Sequence, residues 1–218
     1  MGGMTTSQTD AGDLGTAHVC ATCGAHYPGD APPETCRICS DERQYVPAGG
    51  QRWLSLADLV ESHVNRVEEV EPDLYGVGLE PQVAIGQRAL LVRTPEGNVL
   101  WDCVPALTQE GRARLEELGG VAAIAVSHPH FYTGIAQFAA LLDATVYLHA
   151  ADREHVTHPS RRIEFWEGER KDLPGGVTLI RAGGHFAGGT VLHWPDGAGG
   201  AGALLTSDII RVVPDRSH

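Results

Sequence analysis

The sequence predicts an α/β or α+β layered domain with a small metal-held module ahead of it, and three observations predict it. From residue 82 onward, short apolar runs alternate with helical segments, the order that builds a sheet covered by helices. The polar residues of interest stand where those runs stop, and strand ends feeding loops are where layered folds build their sites. Nearer the amino terminus, two CxxC pairs bracket a stretch with almost no large apolar side chains, which cannot fold by burial alone.

Taken in chain order, residues 1–17 are polar and read as a disordered tail. Residues 18–48 form the cysteine unit, in which CATCG and CRICS enclose the turn-rich insert HYPGDAPPET. Residues 49–74 are a linker whose segment 53–70 places Leu56, Leu59, Val60, Val64 and Val67 at helical spacing. With Ser55 as N-cap and Pro72 past the end, this predicts one amphipathic connecting helix. The main domain, 75–218, opens with the strand candidates QVAIG, ALLVRT and, after the turn signal PEGN, NVLWDC. A helix over 108–119 follows, closed by Gly119 and Gly120. Then come VAAIAVSH, a helix near 134–142, TVYLHA, a short helix around 151–155, VTLIRAGG, TVLHW and ALLTSDII.

Composition narrows the function classes. The chain has 218 residues, 42% hydrophobic, enough to bury a core without staples. Its 28 acidic against 16 basic residues give a formal net charge of −12, which repels phosphate backbones and anionic lipid, so no nucleic-acid or membrane partner is expected. No window approaches the roughly 18 consecutive apolar residues of a membrane span. The amino terminus lacks the basic start and apolar stretch of a secretory signal, so a cytoplasmic chain is expected. In a reducing cytosol, CxxC pairs hold metal more often than they form disulfides.

Cys20, Cys23, Cys36 and Cys39 form two knuckles twelve residues apart, each supplying two sulfurs from one tight turn, and Gly24 relaxes the first. The segment resembles the rubredoxin-like module of rubrerythrins through its CxxCG, Gly29, Pro32-Pro33-Glu34 and second CxxC. The resemblance implies iron and electron transfer. A structural zinc ribbon uses the same ligands, so Zn²⁺ and Fe both remain open at this site.

In SHPHFYTG, His128 and His130 directly follow an apolar strand, and in an extended segment both imidazoles can converge on one ion. His185, flanked by glycines in GGHFAGG, and Asp208 in LLTSD stand at the ends of later strands. Three imidazoles and a carboxylate make a reasonable Zn²⁺ or Fe²⁺ shell.

Over residues 76–218 the chain resembles the metallo-β-lactamase superfamily. NVLWDC looks like its early strand ending in Asp, here Asp102. SHPHFYTG looks like its HxHxDH motif, GGHFAGG like its GHxxG, and LLTSD like the strand ending in the metal-bridging Asp. The resemblance implies an α+β, αββα layered sandwich and carries ligand roles onto His128, His130, His185 and Asp208. Two departures matter. Tyr132 and Thr133 stand where Asp and His complete the motif, which implies a mononuclear site and puts the usual water-orienting group in doubt. Tyr132 is then a candidate to donate a hydrogen bond to a substrate or oxyanion rather than act as base. The superfamily also continues with further strands and usually another His, whereas this sequence stops ten residues after Asp208, at His218. The second layer is therefore expected to be truncated or covered by another copy or a protein partner.

Of the remaining polar residues, Asp102 is expected either to support a ligand histidine or to cap its turn. His18, His26 and His63 read as exposed or supporting, His149 and His193 as core or pocket-lining, and His155 and His158 without a role. Cys103 reads as a buried inert thiol. Phe165 and Trp166, in a polar stretch, could cover a pocket. The glycines around His185 lack a following Lys, so nucleotide binding is rejected.

Three functions compete. The first is a metallo-β-lactamase-fold hydrolase activating water toward a small ester, thioester or lactone. The second is an oxidoreductase in which a rubredoxin-type iron feeds electrons to the histidine-bound metal. The third is a catalytically lapsed fold that presents a zinc-stapled surface to a protein partner.

Overall fold

The structure, a computed structural model, describes residues 16–210. Residues 1–15, most of the expected tail, and the carboxy-terminal 211–218 lie outside the described residues. Ala17, placed in that tail by the sequence, is buried against Leu56 and Leu59, and its carbonyl accepts from the Leu56 N–H at 3.1 Å.

The cysteine unit is built on a three-stranded antiparallel sheet of β1 (His18–Cys20), β2 (His26–Tyr27) and β3 (Trp53–Ser55), with β1 in the centre. It therefore runs past the expected boundary at 48 to Ser55. There the Ser55 hydroxyl accepts from Asp58 N–H at 3.3 Å and starts α1 (Leu56–Ser62).

The long linker helix is not found. The chain leaves helical geometry at His63 and continues as β4 (Val64–Glu71), which pairs antiparallel with β5 (Leu74–Glu80). The apolar spacing that suggested a helix belongs to two elements: Leu56 and Leu59 are buried by α1, whereas Val64 and Val67 lie on a strand, Val64 exposed and Val67 half-buried against the helix-side core. β-branched valines favour the extended form. In β5, Gly76 and Gly78 hide the strand pattern. A Cβ at Gly76 would stand 3.2 Å from Arg88 Cδ, so the glycine admits a close neighbour. QVAIG is not a strand but a bend, of which only Val83 is buried.

Beyond it come β6 (Ala89–Val92), β7 (Val99–Trp101), α2 (Gln109–Glu117), β8 (Ala123–Ala125), α3 (Ile135–Leu142), β9 (Thr145–His149) and β10 (Ile163–Trp166). The strands form one seven-stranded sheet in the order β10-β9-β8-β7-β6-β5-β4, parallel from β7 to β10 and antiparallel elsewhere. A second, antiparallel four-stranded sheet contains β11 (Arg170–Asp172), β12 (Thr178–Arg181), β13 (Thr190–Trp194) and β14 (Ala203–Leu205). The helices expected at 108–119 and 134–142 are present, and Gly120 N–H closes α2 on Leu115 carbonyl at 2.9 Å.

Strand alternation sorts the side chains into layers. Leu100 and Ile124 face the helices and pack with Leu115, Ile135 and Phe138. Their neighbours Val99, Trp101, Ala123 and Ala125 face the second sheet and meet Leu179, Leu192 and Trp194. The result is helix on sheet on sheet, an α+β sandwich of the kind the resemblance implied. Trp166 is buried in this inter-sheet core on β10 and Phe165 is half-buried against the helix-side core, so neither covers a pocket. Among the described residues, no helix is long and apolar enough to cross a membrane.

Candidate metal centre

Three connections that follow strands bring the four predicted ligands together. His128 leaves β8 in extended backbone. His130 does not continue that extension: it lies inside a one-turn helix, Pro129–Phe131, closed by Phe131 N–H on His128 carbonyl at 2.9 Å. The two rings nonetheless converge, with centroids 5.1 Å apart. His185 sits on the β12–β13 connection after Gly183 and Gly184, whose positive φ suits glycine. Asp208 follows β14 through Ser207, held at φ 50°.

His128 Nε2 lies 2.7 Å from Asp208 Oδ1, and His130 Nδ1 lies 3.1 Å from His185 Nε2 and 3.9 Å from Asp208 Oδ2. His185 Nε2 is 3.9 Å from Asp208 Oδ1. One ligand atom from each residue falls within 4.8 Å of all the others. These separations bracket the roughly 3.4 Å edge of a tetrahedron with metal–ligand bonds of about 2.1 Å, and N₃O donors suit Zn²⁺ or Fe²⁺. The residues fit an ion.

What surrounds the four fixes their direction. Ser127 Oγ lies 2.8 Å from His128 Nδ1, which leaves Nε2 for the centre. Asp102 accepts the Ser127 N–H at 2.8 Å and makes no bond to a ligand histidine, so it holds the backbone that delivers His128 rather than supporting a ligand ring. Burial pushes the Asp102 carboxyl up to about 7 against the hydrogen bonds of Ser127 and Ser207. Burial also lowers His128, with the neighbouring Asp208 opposing it. Burial raises Asp208, but hydrogen bonds from His128 and His130 outweigh it and hold the carboxyl well below the usual range.

Tyr132 does not reach the site. It is 3% exposed in the core on the helix side of the large sheet, does not line the cavity above the centre, and burial pushes its phenol well above its usual value. Tyr132→Phe is expected to leave any metal-dependent turnover within about twofold of the parent, a change of under ~0.5 kcal/mol in barrier; steady-state kinetics check this. Cys103 is fully buried, and burial raises its thiol well above the ordinary value, as an inert cysteine requires.

The four cysteines close a second cluster. Cys20 Sγ and Cys39 Sγ lie 3.6 Å apart, as do Cys23 Sγ and Cys36 Sγ, near the about 3.8 Å edge expected for metal–sulfur bonds of about 2.3 Å. Gln51 donates to Cys20 Sγ at 3.0 Å and Tyr27 to Cys36 Sγ at 3.4 Å, contacts that favour thiolates. This cluster, too, has the composition and geometry of a metal site.

The two clusters are packed together through backbone carbonyls. Gln87 Nε2 donates to Cys23 carbonyl at 2.7 Å and to His130 carbonyl at 3.3 Å, which fixes the amide and leaves its buried Oε1 without a partner. Thr133 Oγ1 donates to Gly24 carbonyl at 2.5 Å. A Cβ at Gly24 would stand 2.8 Å from that oxygen and 2.9 Å from Pro105 Cγ, so the knuckle admits only glycine here. His26, expected to be exposed or supporting, is 1% exposed and lies 2.7 Å from Pro105 carbonyl through Nε2, the donor in the neutral ring. His149 is a buried, hydrogen-bonded histidine on Gly168 carbonyl at 3.1 Å. His158, given no role, is 6% exposed with its ring 6.4 Å from that of His26.

Burial lowers the His26 pKa to about 4, with Pro105 carbonyl opposing and His158 adding to the fall. The unfolded chain therefore binds the extra proton between the ordinary value near 6.5 and about 4. Stability from this group is fully present above about pH 6.5 and is lost as pH falls toward 4, on the order of 3 kcal/mol. His26→Gln is expected to flatten the pH dependence of denaturant midpoints across that window.

Gln87, Ser127, Arg43 and Arg88 were not found from sequence. No spacing marks them, since they come to the site from three separate connections, Gln87 and Arg88 from the same one. Arg43, Gln87 and Arg88 help to wall a cavity of about 730 Å³ that His130, His185, Asp102 and Asp208 also line.

Comparison with known proteins adds kinship. No family model matches the sequence. Among solved structures, a B3 metallo-β-lactamase with an active-site glutamic acid gives a TM-score of 0.49 at 18% identity, covering 69% of this chain and 68% of that one. MEM-A1, a subclass B3 metallo-β-lactamase from a soil metagenome library, gives 0.49 at 23%, covering 65% of this chain and 61% of that one. SMB-1, a metallo-β-lactamase solved with mercaptoacetic acid, gives 0.47 at 19%, covering 68% and 67%. Much higher identity, 45% over 203 residues, links the chain to the uncharacterized protein YmaE of Bacillus subtilis (strain 168), covering 92% of this chain and 74% of that one. With that identity over that length, the chain belongs to the same family as YmaE.

Proposed function

We propose that the protein is a metal-dependent hydrolase whose histidine–aspartate centre activates water toward a small ester, thioester or lactone. The observation that carries this reading is the convergence of His128, His130, His185 and Asp208, the last three of which line an open cavity. An ion held there supplies a Lewis acid and brings the pKa of water down toward about 7. The chain's own residues supply the rest. Ser127 and Asp102 keep His128 aimed, and the buried Gln87 amide fixes the carbonyl of His130. The reaction adds water across the acyl bond, releasing an acid and an alcohol or thiol from an ester or thioester and opening a lactone to one hydroxy acid.

Elemental analysis and para-nitrophenyl ester hydrolysis test the proposal on protein loaded with Zn²⁺ and with Fe²⁺. Turnover that follows occupancy of the histidine centre supports it. A filled centre with no turnover of esters, thioesters or lactones sinks it and favours the binding-module reading.

The second reading, electron delivery from a thiolate-bound iron, is favoured by one contact. Gln87 alone spans from the carbonyl of Cys23 to that of His130, a short path between the two clusters. A reversible visible-absorbance change on reduction of the iron-loaded protein separates this reading from hydrolysis.

A further inference from the structure

The cavity over the histidine centre is walled by separate parts of the chain. Arg43, Gln44 and Tyr45 follow the second CxxC pair, Ile85 to Arg88 lie between β5 and β6, and Leu204 to Asp208 come from β14 and its turn. Its carboxylates are Asp102, 2% exposed, and Asp208 of the ligand set. The other charges on its walls are two guanidinium groups, in a chain whose formal net charge is −12. Arg88 is exposed and, among the described residues, makes no ion pair. Arg43 bonds both oxygens of Asp41 through Nη1 alone, at 2.7 and 2.8 Å, and lies 4.5 Å over the ring of Phe186, the neighbour of His185. That arrangement holds the guanidinium plane at the cavity while leaving Nε and Nη2 without a carboxylate. Trp101 Nε1 is a further donor on a lining residue, buried and without a partner.

An acidic protein repels anions at long range, but ionic screening confines that field to about 8 Å at physiological salt. Inside the cavity the nearest charges decide. Resting on the hydrolytic reading, we infer that the substrate carries a carboxylate, held by Arg88 and Arg43, while its acyl group meets the histidine centre. This also gives the cysteine module a part in recognition: it carries Arg43 to the cavity wall.

The test compares two esters on the full-length, Zn²⁺-loaded chain: neutral para-nitrophenyl acetate and anionic mono-para-nitrophenyl glutarate. The wild type is expected to favour the anionic ester in kcat/KM. Arg88→Gln is expected to lower that preference by about ten- to a hundredfold, the range for one charge-assisted hydrogen bond, and Arg88→Lys to recover part of it. Arg43→Gln is expected to lower it less, because Asp41 already shares that charge. Calorimetric titration with glutarate, with glutaramide as the neutral partner, reads the same site without turnover. If neither ester is hydrolysed but glutarate binds the wild type about tenfold or more tighter than Arg88→Gln, the hydrolytic reading fails and the carboxylate site stands. If glutarate binds the two proteins equally, or does not bind the wild type, or the two esters lose rate equally in Arg88→Gln, the inference is overturned.

Discussion

Replacing His128 and His185 together by alanine is expected to lower the metal content from two ions per chain to one and to cut ester turnover by roughly a thousandfold or more. The magnitude follows from what an ion does for water: at neutral pH the difference between a pKa near 7 and one near 15.7 separates an abundant nucleophile from a vanishing one. Both residues contribute ligand atoms to the set that converges within 4.8 Å, and no other group of three or more His, Cys, Asp or Glu forms a comparable cluster there among the described residues. The fold is expected to persist, because the apolar contacts of the inter-sheet and helix-side cores are made by other residues. Elemental analysis, near-ultraviolet circular dichroism and ester kinetics on the same preparation check the three parts. Two ions retained in the double variant, or one ion in the wild type, would remove the basis of the metal-centre assignment.

Replacing Cys20 and Cys39 by serine is expected to have the larger effect on stability. The cysteine unit has a small core of Ala25, Tyr27 and Ile38 around four sulfurs, with Trp53 packed against it, too little apolar surface to fold without its ion. Structural zinc in such units supplies about 10–16 kcal/mol, which matches or exceeds the whole ~5–15 kcal/mol stability of a typical domain. The loss is expected to spread. Cys23 and Gly24 carbonyls anchor Gln87 and Thr133, and these border His130 and Tyr132. The variant should therefore show protease cleavage within 18–55 and weaker metal retention at the histidine centre. Limited proteolysis and chelator competition measure both. Retention equal to wild type would mean that the two clusters are mechanically independent.

How much of this was legible in the sequence depends on whether a feature is local. Each CxxC knuckle is set by a single turn, and the structure brings the members of each expected ligand set within reach of one another. The 64–80 hairpin was not legible. Val64 and Val67 continue the period of α1 by coincidence, and glycines at 76 and 78 erase the alternation of β5. Nor was the direction of Tyr132 legible: it follows the one-turn helix at Pro129–Phe131, which rotates the chain away from the extended path that was expected. The cavity walls are the least legible part, because Arg43 joins Gln87 and Arg88 only through long-range packing.

One contact couples the loop of the histidine centre to the cysteine unit. The resemblance has a histidine for a second ion at position 133, and here a threonine hydroxyl at that position reaches the first cysteine knuckle. Gly24 and Thr133 stand so close that a single carbon added at Gly24 would lie 2.8 Å from the Thr133 hydroxyl. In this chain, position 133 therefore ties the loop of the histidine centre to the cysteine unit, where the resemblance implied a ligand to a second ion.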